Sequence, residues 1–210
     1  MVRVKVCGIC RPEDALAAAE AGADAIGLVF AESPRRVGVA QAQAILAALP
    51  PFVTPVALFV NESPATILTK CELLGIRTVQ LHGDEPPDVA RALGGLCVIK
   101  AFRISGEADL EALTGYPAAA YLLDSKVAGR RGGTGVALDW ALAARAVGLG
   151  RIILAGGLTP DNVAEAICRV RPYGVDVSSG VESAPGVKDA AKLRAFVAAA
   201  RDAWGAWGRE

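Results

Sequence analysis

The chain of 210 residues carries 22 basic and 22 acidic side chains, and 53% of its residues are apolar. This composition excludes a disordered chain, and the zero net charge argues against a nucleic-acid-binding protein, which normally has a basic excess. No window approaches the roughly 18 consecutive apolar residues of a membrane span, and the N-terminus lacks the apolar stretch of a secretory signal. We therefore expect a globular, cytoplasmic protein of one domain, 1–210, without a membrane or nucleic-acid partner.

Short apolar runs rich in β-branched residues alternate with Ala- and Leu-rich segments of helical period along the whole chain. The runs predicted as strands are Val2–Ile9, Ala25–Phe30, Pro55–Val60, Thr78–Gly83, Cys97–Phe102, Ala119–Ser125, Arg151–Ala155 and Gly174–Ser178. The segments predicted as helices are Pro12–Ala21, Ala40–Leu49, Pro64–Leu74, Pro87–Leu93, Asp109–Leu113, Leu138–Val147, Pro160–Val170 and Asp189–Trp204.

This alternation predicts parallel strands joined by right-handed crossovers. Eight such units without an intervening Gly/Ser linker indicate a closed (β/α)8 barrel, a TIM barrel, and the alternative is an open doubly wound sheet. The chain is shorter than the ~250 residues typical of this barrel, so its loops must be minimal. Pro64 and Pro160 are placed in first helical turns, with Ser63 and Thr159 before them as N-caps.

Candidate chemistry lies at the carboxyl ends of the strands, which meet at one face of such a barrel. Three strand-end side chains have reactive groups: Cys7, His82 and Asp124. A carboxylate such as Asp124 is costly to bury unpaired, so it either caps the following loop or acts as an acid or base. A lone histidine such as His82 is more often a hydrogen-bonding loop residue than a catalyst.

Cys7 and Cys10 form a C-x-x-C pair, which raises the alternatives of a zinc site or a redox pair. Zinc would need a second pair at suitable spacing, and the next cysteine is Cys71. A redox pair belongs to a thioredoxin-like fold, which eight βα units do not match. We interpret Cys7 as a site residue, because it ends the first strand. The other cysteines are expected to be buried core residues: Cys10, Cys71, Cys97 and Cys168.

Glycine-rich loops follow the last three predicted strands, at 132–135, 155–160 and 178–180. Glycines let backbone N–H groups approach an anion, and barrels of this kind often bind phosphate on the loops after strands seven and eight. The three loops together favour a phosphate site over the alternative that the glycines serve only to form tight turns. The residues expected to bind the phosphate are Gly133, Gly156, Gly157, Ser179 and Gly180.

The order of these motifs resembles the phosphoribosylanthranilate isomerase family over nearly the whole length of the chain. The resemblance rests on Lys5–Ile9, Phe30 with Ser33–Arg35, Val79–Glu85, Leu123–Ser125, Gly132–Gly135, Leu138–Trp140, Ala155–Leu158 and Val175–Glu182. Ribulose-phosphate epimerases and indoleglycerol-phosphate synthases differ at the strand ends. The related isomerase of histidine synthesis has a carboxylate where this chain has Cys7.

The resemblance implies an enzyme of tryptophan biosynthesis that isomerises N-(5′-phosphoribosyl)anthranilate by an Amadori rearrangement. It implies Asp124 as general acid, Cys7 as general base, Arg35 as ligand of the anthranilate carboxylate and His82 as a substrate-binding residue. The segment 31–34 looks one residue short against the family pattern, so the adjacent Arg36 is an alternative to Arg35. A general base at Cys7 needs a lowered thiol pKa, for which the helix N-termini at the rim are a physical cause.

The same resemblance implies no metal and no cofactor, because the substrate supplies its own electron sink. The partner is then a small phosphosugar substrate, and we expect a monomer or a homodimer.

Side-chain alternation along the first strand predicts a buried ion pair. If Cys7 faces the barrel interior, so do Lys5 and Arg3. A buried ammonium needs a carboxylate, and the acid within the neighbouring eighth strand is Asp176. We therefore predict a Lys5–Asp176 pair just below the catalytic layer. The alternative is that Lys5 extends to solvent at the mouth of the barrel.

Overall fold

The computed structural model describes residues 1–125 and 139–207. Eight parallel strands close into a barrel in chain order, with the eighth hydrogen-bonded to the first. They are β1 (Arg3–Cys7), β2 (Ala25–Val29), β3 (Thr54–Phe59), β4 (Thr78–Leu81), β5 (Cys97–Ile104), β6 (Ala120–Ser125), β7 (Ile152–Leu154) and β8 (Gly174–Val177). This closure confirms the predicted (β/α)8 barrel and excludes the open sheet. The domain limits of 1–210 stay a prediction.

A helix follows each barrel strand and packs on the outside of the sheet. The helices are α1 (Pro12–Glu20), α2 (Val39–Ala48), α3 (Pro64–Leu74), α4 (Pro87–Ala92), α5 (Ala108–Glu111), α6 (Trp140–Ala146), α7 (Val163–Val170) and α8 (Ala190–Trp207). Across the two described ranges, none of them has the length and apolar character needed to cross a bilayer.

The predicted start of α7 is wrong by three residues, because the chain first forms a side-chain-closed loop. The helix begins at Val163 and not at Pro160. The N–H of Thr159 donates to Asn162 Oδ1 over 2.8 Å, and Asn162 Nδ2 donates to the carbonyl of Gly157 over 3.0 Å. Thr159 is therefore part of the loop after β7 and not a helix cap.

Strand alternation divides the core into two layers. On β1, Val4 and Val6 are fully buried against the helices, whereas Lys5 and Cys7 face the barrel interior. Apolar side chains fill the lower part of that interior, among them Leu122. The barrel is therefore packed below, and its polar interior residues lie towards the carboxyl ends of the strands.

The closure between β1 and β8 contains the predicted ion pair. Lys5 is in register with Asp176, and Lys5 Nζ lies 2.7 Å from Asp176 Oδ1. The two side chains are 5% and 9% exposed, which confirms the buried pair and excludes a lysine that extends to solvent. Arg3 lies at the other end of β1, where its exposed guanidinium pairs with Asp24.

The cysteines only partly follow their predicted burial. Cys71 is buried and Cys10 is half-buried. Cys97 and Cys168 are exposed, so the prediction is wrong for these two. Cys97 is the first residue of β5, and Cys168 occupies an exposed position of α7.

Candidate active site

A cavity of about 720 Å³ opens at the carboxyl ends of the barrel strands. The predicted site residues that line it are Cys7, Arg35, His82, Asp124, Gly156, Gly157, Ser179 and Gly180. Gly133, also predicted to bind phosphate, lies outside the described residues. The fold thus brings together residues that are up to 173 positions apart in sequence, from Cys7 to Gly180, in one concave site at the face where TIM barrels place their chemistry.

Cys7 ends β1, and its thiol fits beside the neighbouring strand β2 because that strand has a glycine there. A Cβ at Gly27 of β2 would lie 2.8 Å from Cys7 Sγ. Burial raises the pKa of the Cys7 thiol, although the nearby ammonium of Lys5 acts to lower it. The expected lowering of this pKa is therefore wrong, because the apolar surroundings of the thiol outweigh the nearby positive charge.

Asp124 on β6 lies 5% exposed and faces His82, which follows β4. His82 Nε2 is 3.6 Å from Asp124 Oδ2. On the other side of the ring, Gln80 Nε2 lies 2.7 Å from His82 Nδ1. When the Gln80 amide donates, Nδ1 is the acceptor and a neutral ring carries its proton on Nε2, on the side of Asp124. His82 is thus oriented towards the carboxylate by a buried amide.

The two adjacent arginines have different surroundings. The guanidinium of Arg35 donates to both carboxylate oxygens of Glu182, over 2.8 and 2.7 Å. Arg36 is exposed, and it lines the cavity. Arg35 is therefore held by a carboxylate of the protein itself, and of the two alternatives the geometry favours Arg36 as the cation for a bound carboxylate.

A buried charge network lies beneath Arg35, and no motif of the sequence analysis predicts it. After β8 the chain forms a 3₁₀ turn and a short hairpin of β9 (Glu182–Ala184) and β10 (Val187–Lys188). The fully buried Lys188 Nζ donates to the carbonyl of Cys7 over 2.7 Å and to Glu182 Oε1 over 2.8 Å. It also donates to the carbonyl of Ser178 over 3.2 Å. The hairpin thus ties together the end of β1, the loop after β8 and the arginine segment.

A second buried pair shapes the loop after β4. Lys100 Nζ donates to Glu85 Oε2 over 2.8 Å and to the carbonyl of Gly83 over 2.7 Å. The same carboxylate accepts hydrogen bonds from the N–H groups of Asn61 and Gly83. Burial alone would raise the pKa of Glu85, but the ammonium of Lys100 and these N–H donors lower it. This carboxylate fixes the loop that begins with His82.

The loops after β7 and β8 form one side of the cavity and touch each other. Gly156 and Gly157 have φ values of 80° and 73°, a conformation that favours glycine. A Cβ at Gly180 would collide with the backbone carbonyl of Leu158. The backbones of the two loops therefore approach each other more closely than a side chain at position 180 would permit. Close backbone of this kind suits recognition of an anion by N–H groups.

Comparison with known proteins identifies relatives over almost the full chain. The family described as N-(5′-phosphoribosyl)anthranilate (PRA) isomerase matches residues 4–199. A Geobacter sulfurreducens protein named N-(5′-phosphoribosyl)anthranilate isomerase is 54% identical over 205 residues, which cover 96% of this chain and 99% of that protein.

Solved structures show the same likeness. One is phosphoribosyl anthranilate isomerase in complex with reduced 1-(o-carboxyphenylamino)-1-deoxyribulose 5-phosphate, with a TM-score of 0.87 and 42% identity. Another is of generated monomers of the dimeric phosphoribosylanthranilate isomerase from Thermotoga maritima, with a TM-score of 0.86 and 41% identity. Each match covers 96% of this chain and 100% of the related chain.

Proposed function

The chain belongs to the N-(5′-phosphoribosyl)anthranilate isomerase family, and we propose that Cys7 and Asp124 carry out the two proton transfers of its reaction. It is an isomerase of tryptophan biosynthesis. The reaction converts N-(5′-phosphoribosyl)anthranilate to 1-(2-carboxyphenylamino)-1-deoxyribulose 5-phosphate. The observation that carries the assignment of roles is that a thiol, a carboxyl group, a cavity-lining arginine and two glycine loops line one cavity.

Asp124 is assigned the first proton transfer. As the C1–O bond of the ribose ring breaks, the nitrogen lone pair forms a C=N bond to C1, and the carboxyl group of Asp124 gives its proton to the departing ring oxygen. His82 Nε2 lies 3.6 Å from Asp124 Oδ2, and His82 also lines the cavity. We assign His82 to substrate binding. The product of this step is an open-chain iminium ion, in which the hydrogen on C2 is acidic.

Cys7 is assigned the second proton transfer. Its thiolate removes the proton from C2, and the electron pair of that C–H bond forms the C1=C2 bond while the C=N electrons return to nitrogen. The resulting enolamine tautomerises to the ketose. The iminium is the electron sink for this step, so we propose that the reaction needs neither a metal nor a cofactor. Each positioned acid or base of this kind typically contributes about 10²- to 10⁴-fold to the rate.

The two anionic ends of the substrate call for two different sites. The phosphate suits the close backbone of the loops after β7 and β8, where we assign Gly156, Gly157, Ser179 and Gly180. Gly133 stays a prediction. The carboxylate of the anthranilate suits the guanidinium of Arg36, because that of Arg35 is held by Glu182.

Arg36→Ala is expected to raise KM for the natural substrate at least about tenfold, since it removes a charge-assisted hydrogen bond to the carboxylate. The decisive comparison uses N-(5′-phosphoribosyl)aniline, which lacks that carboxylate, and we expect little effect of the substitution on its KM. Arg194→Ala, on the exposed face of α8, is the matched control and should behave like the unaltered protein. An equal loss on both substrates would assign Arg36 some other role.

Gly180→Ala is expected to weaken phosphate binding, because the added Cβ collides with the carbonyl of Leu158 and must part the two loops. We expect the inhibition constant of inorganic phosphate and KM to rise together, each at least about tenfold. A rise of this size corresponds to the loss of one to two charge-assisted hydrogen bonds. Gly148→Ala is the control, since a Cβ there meets no atom within 4 Å. Unchanged inhibition by phosphate in a folded Gly180→Ala protein would place the phosphate elsewhere.

The proposal extends to the oligomeric state of the protein and to its place in the cell. The related protein from Thermotoga maritima is described as dimeric, and for this chain we propose a monomer or a homodimer in the cytoplasm. Static light scattering of the purified protein at several concentrations gives the oligomeric state, and a trimer or larger assembly would contradict it.

A further inference from the structure

Cys7 stands directly above a buried ion pair that the proton-transfer scheme does not use. Lys5 precedes Cys7 by two positions on β1, so both side chains face the barrel interior. Lys5 Nζ lies 2.7 Å from Asp176 Oδ1, so its ammonium group is held inside the barrel on the strand face that also presents the Cys7 thiol. Asp176 lines the cavity as Cys7 does. One buried ammonium group therefore pairs with a carboxylate and lies on the same interior strand face as the thiol.

Other charges near Cys7 are engaged elsewhere or lie across the cavity. Within residues 1–125 and 139–207, the charged or titratable groups around it on other elements are Asp176 on β8, Glu182 on β9, Lys188 on β10, Arg35 after β2, His82 after β4 and Asp124 on β6. Lys188 and Arg35 both pair with Glu182, and Lys188 contacts the Cys7 carbonyl and not its sulfur. The neighbouring strand β2 (Ala25–Val29) places Gly27 beside the thiol and has no charged residue.

We propose that the Lys5–Asp176 pair controls the charge of Cys7: Lys5 is the counter-ion of the thiolate that removes the C2 proton, and Asp176 opposes it by neutralising Lys5. Both are positioning residues, since they act through Cys7 and not on the substrate. The inference rests on the proposed role of Cys7 as the base, and it adds the groups that set how readily this base ionises.

The charges at this site act on the thiol in opposite directions. Burial raises the pKa of Cys7, the positive charge of Lys5 lowers it, and the negative charge of Asp176 raises it further. Burial would also lower the pKa of Lys5, but Asp176 and Cys7 outweigh this and keep it protonated. Removing Lys5 or Asp176 should therefore change the ionisation of Cys7 with opposite signs. If the ion pair only stabilised the barrel, removing Lys5 and removing Asp176 would not change the ionisation of Cys7 in opposite directions.

The experiment measures the rate at which iodoacetamide alkylates Cys7 as a function of pH, by mass spectrometry of the intact full-length protein and its peptides. Lys5→Met is expected to shift the midpoint of the Cys7 profile to higher pH by at least about one unit, the usual effect of losing a neighbouring opposite charge. Asp176→Asn is expected to shift it to lower pH. The exposed Cys97 is alkylated in the same samples and serves as the internal control, with an unchanged profile.

Lys5→Arg keeps the charge and should restore a midpoint close to that of the unaltered protein. If Lys5→Met does not fold, as judged by circular dichroism, the Asp176→Asn and Lys5→Arg profiles still decide the matter. Shifts of the same sign in both single variants, or none in Asp176→Asn, would overturn the proposal. Failure of the proposed base is seen separately, as activity that survives in Cys7→Ala whatever the alkylation profiles show.

Discussion

Cys7→Ala and Asp124→Asn should each lower kcat at least about 10²-fold, because each removes a positioned proton-transfer group from the reaction. The loss of fluorescence of N-(5′-phosphoribosyl)anthranilate gives the rate directly. Cys10→Ala is the control, since its sulfur contacts the backbone carbonyls of Arg35 and Gly8 and does not line the cavity. We expect it to keep nearly full activity. Near-normal turnover in either of the first two variants would rule out the proposed mechanism.

The two variants should also differ in which step limits the rate. Cys7→Ala slows the removal of the C2 proton, so substrate deuterated at C2 should show a larger isotope effect on kcat than in the unaltered protein. Asp124→Asn slows ring opening, which breaks no bond to that hydrogen, so its isotope effect should fall towards unity. The reverse pattern would exchange the roles of the two residues, and equal effects would leave neither assigned.

The barrel could be predicted from sequence because its signals are local and repeated. Each strand has an apolar run and most helices have a capping residue or a proline, so single errors, such as the late start of α7, do not change the topology. The Lys5–Asp176 pair was predictable for a related reason. Strand alternation places both side chains inside, and closure of a barrel makes its first and last strands neighbours.

Other parts of the site depend on contacts that no local pattern encodes. Arg35 and Arg36 are adjacent and both line the cavity, and which of them is held by a carboxylate of the protein depends on Glu182, 147 positions away from Arg35. Glu182 and Lys188 belong to strands of two or three residues, too short for a periodic signal. The pKa of Cys7 was predicted with the wrong sign, because burial of the thiol depends on the whole packed cavity and not on the nearest helix end.

The network around Glu182 leads to the largest expected effect on stability. Its carboxylate is the shared partner of Arg35 and of Lys188, whose side chain is fully buried. Glu182→Ala leaves both cations without this partner, and an uncompensated buried charge costs about 3–5 kcal/mol. We expect that loss in the free energy of unfolding, measured by urea denaturation at neutral pH. The control Glu165→Ala breaks the exposed pair with Arg169 and should cost at most about 1 kcal/mol.

The dependence of this effect on pH separates charge pairing from simple packing. Burial alone would raise the pKa of Glu182, but Arg35 and Lys188 outweigh it and lower this pKa from its usual value of 4.5. A carboxyl group with a lowered pKa in the folded state contributes stability above the pKa of the unfolded chain, and the contribution is lost as the pH falls through the folded-state pKa. The difference between the unaltered protein and Glu182→Ala should therefore be full at neutral pH and shrink below pH 4.5. A difference that stays constant from neutral to acidic pH would mean that Glu182 acts by filling space, and that the charges of the hairpin do not hold Cys7 and the arginine segment in place.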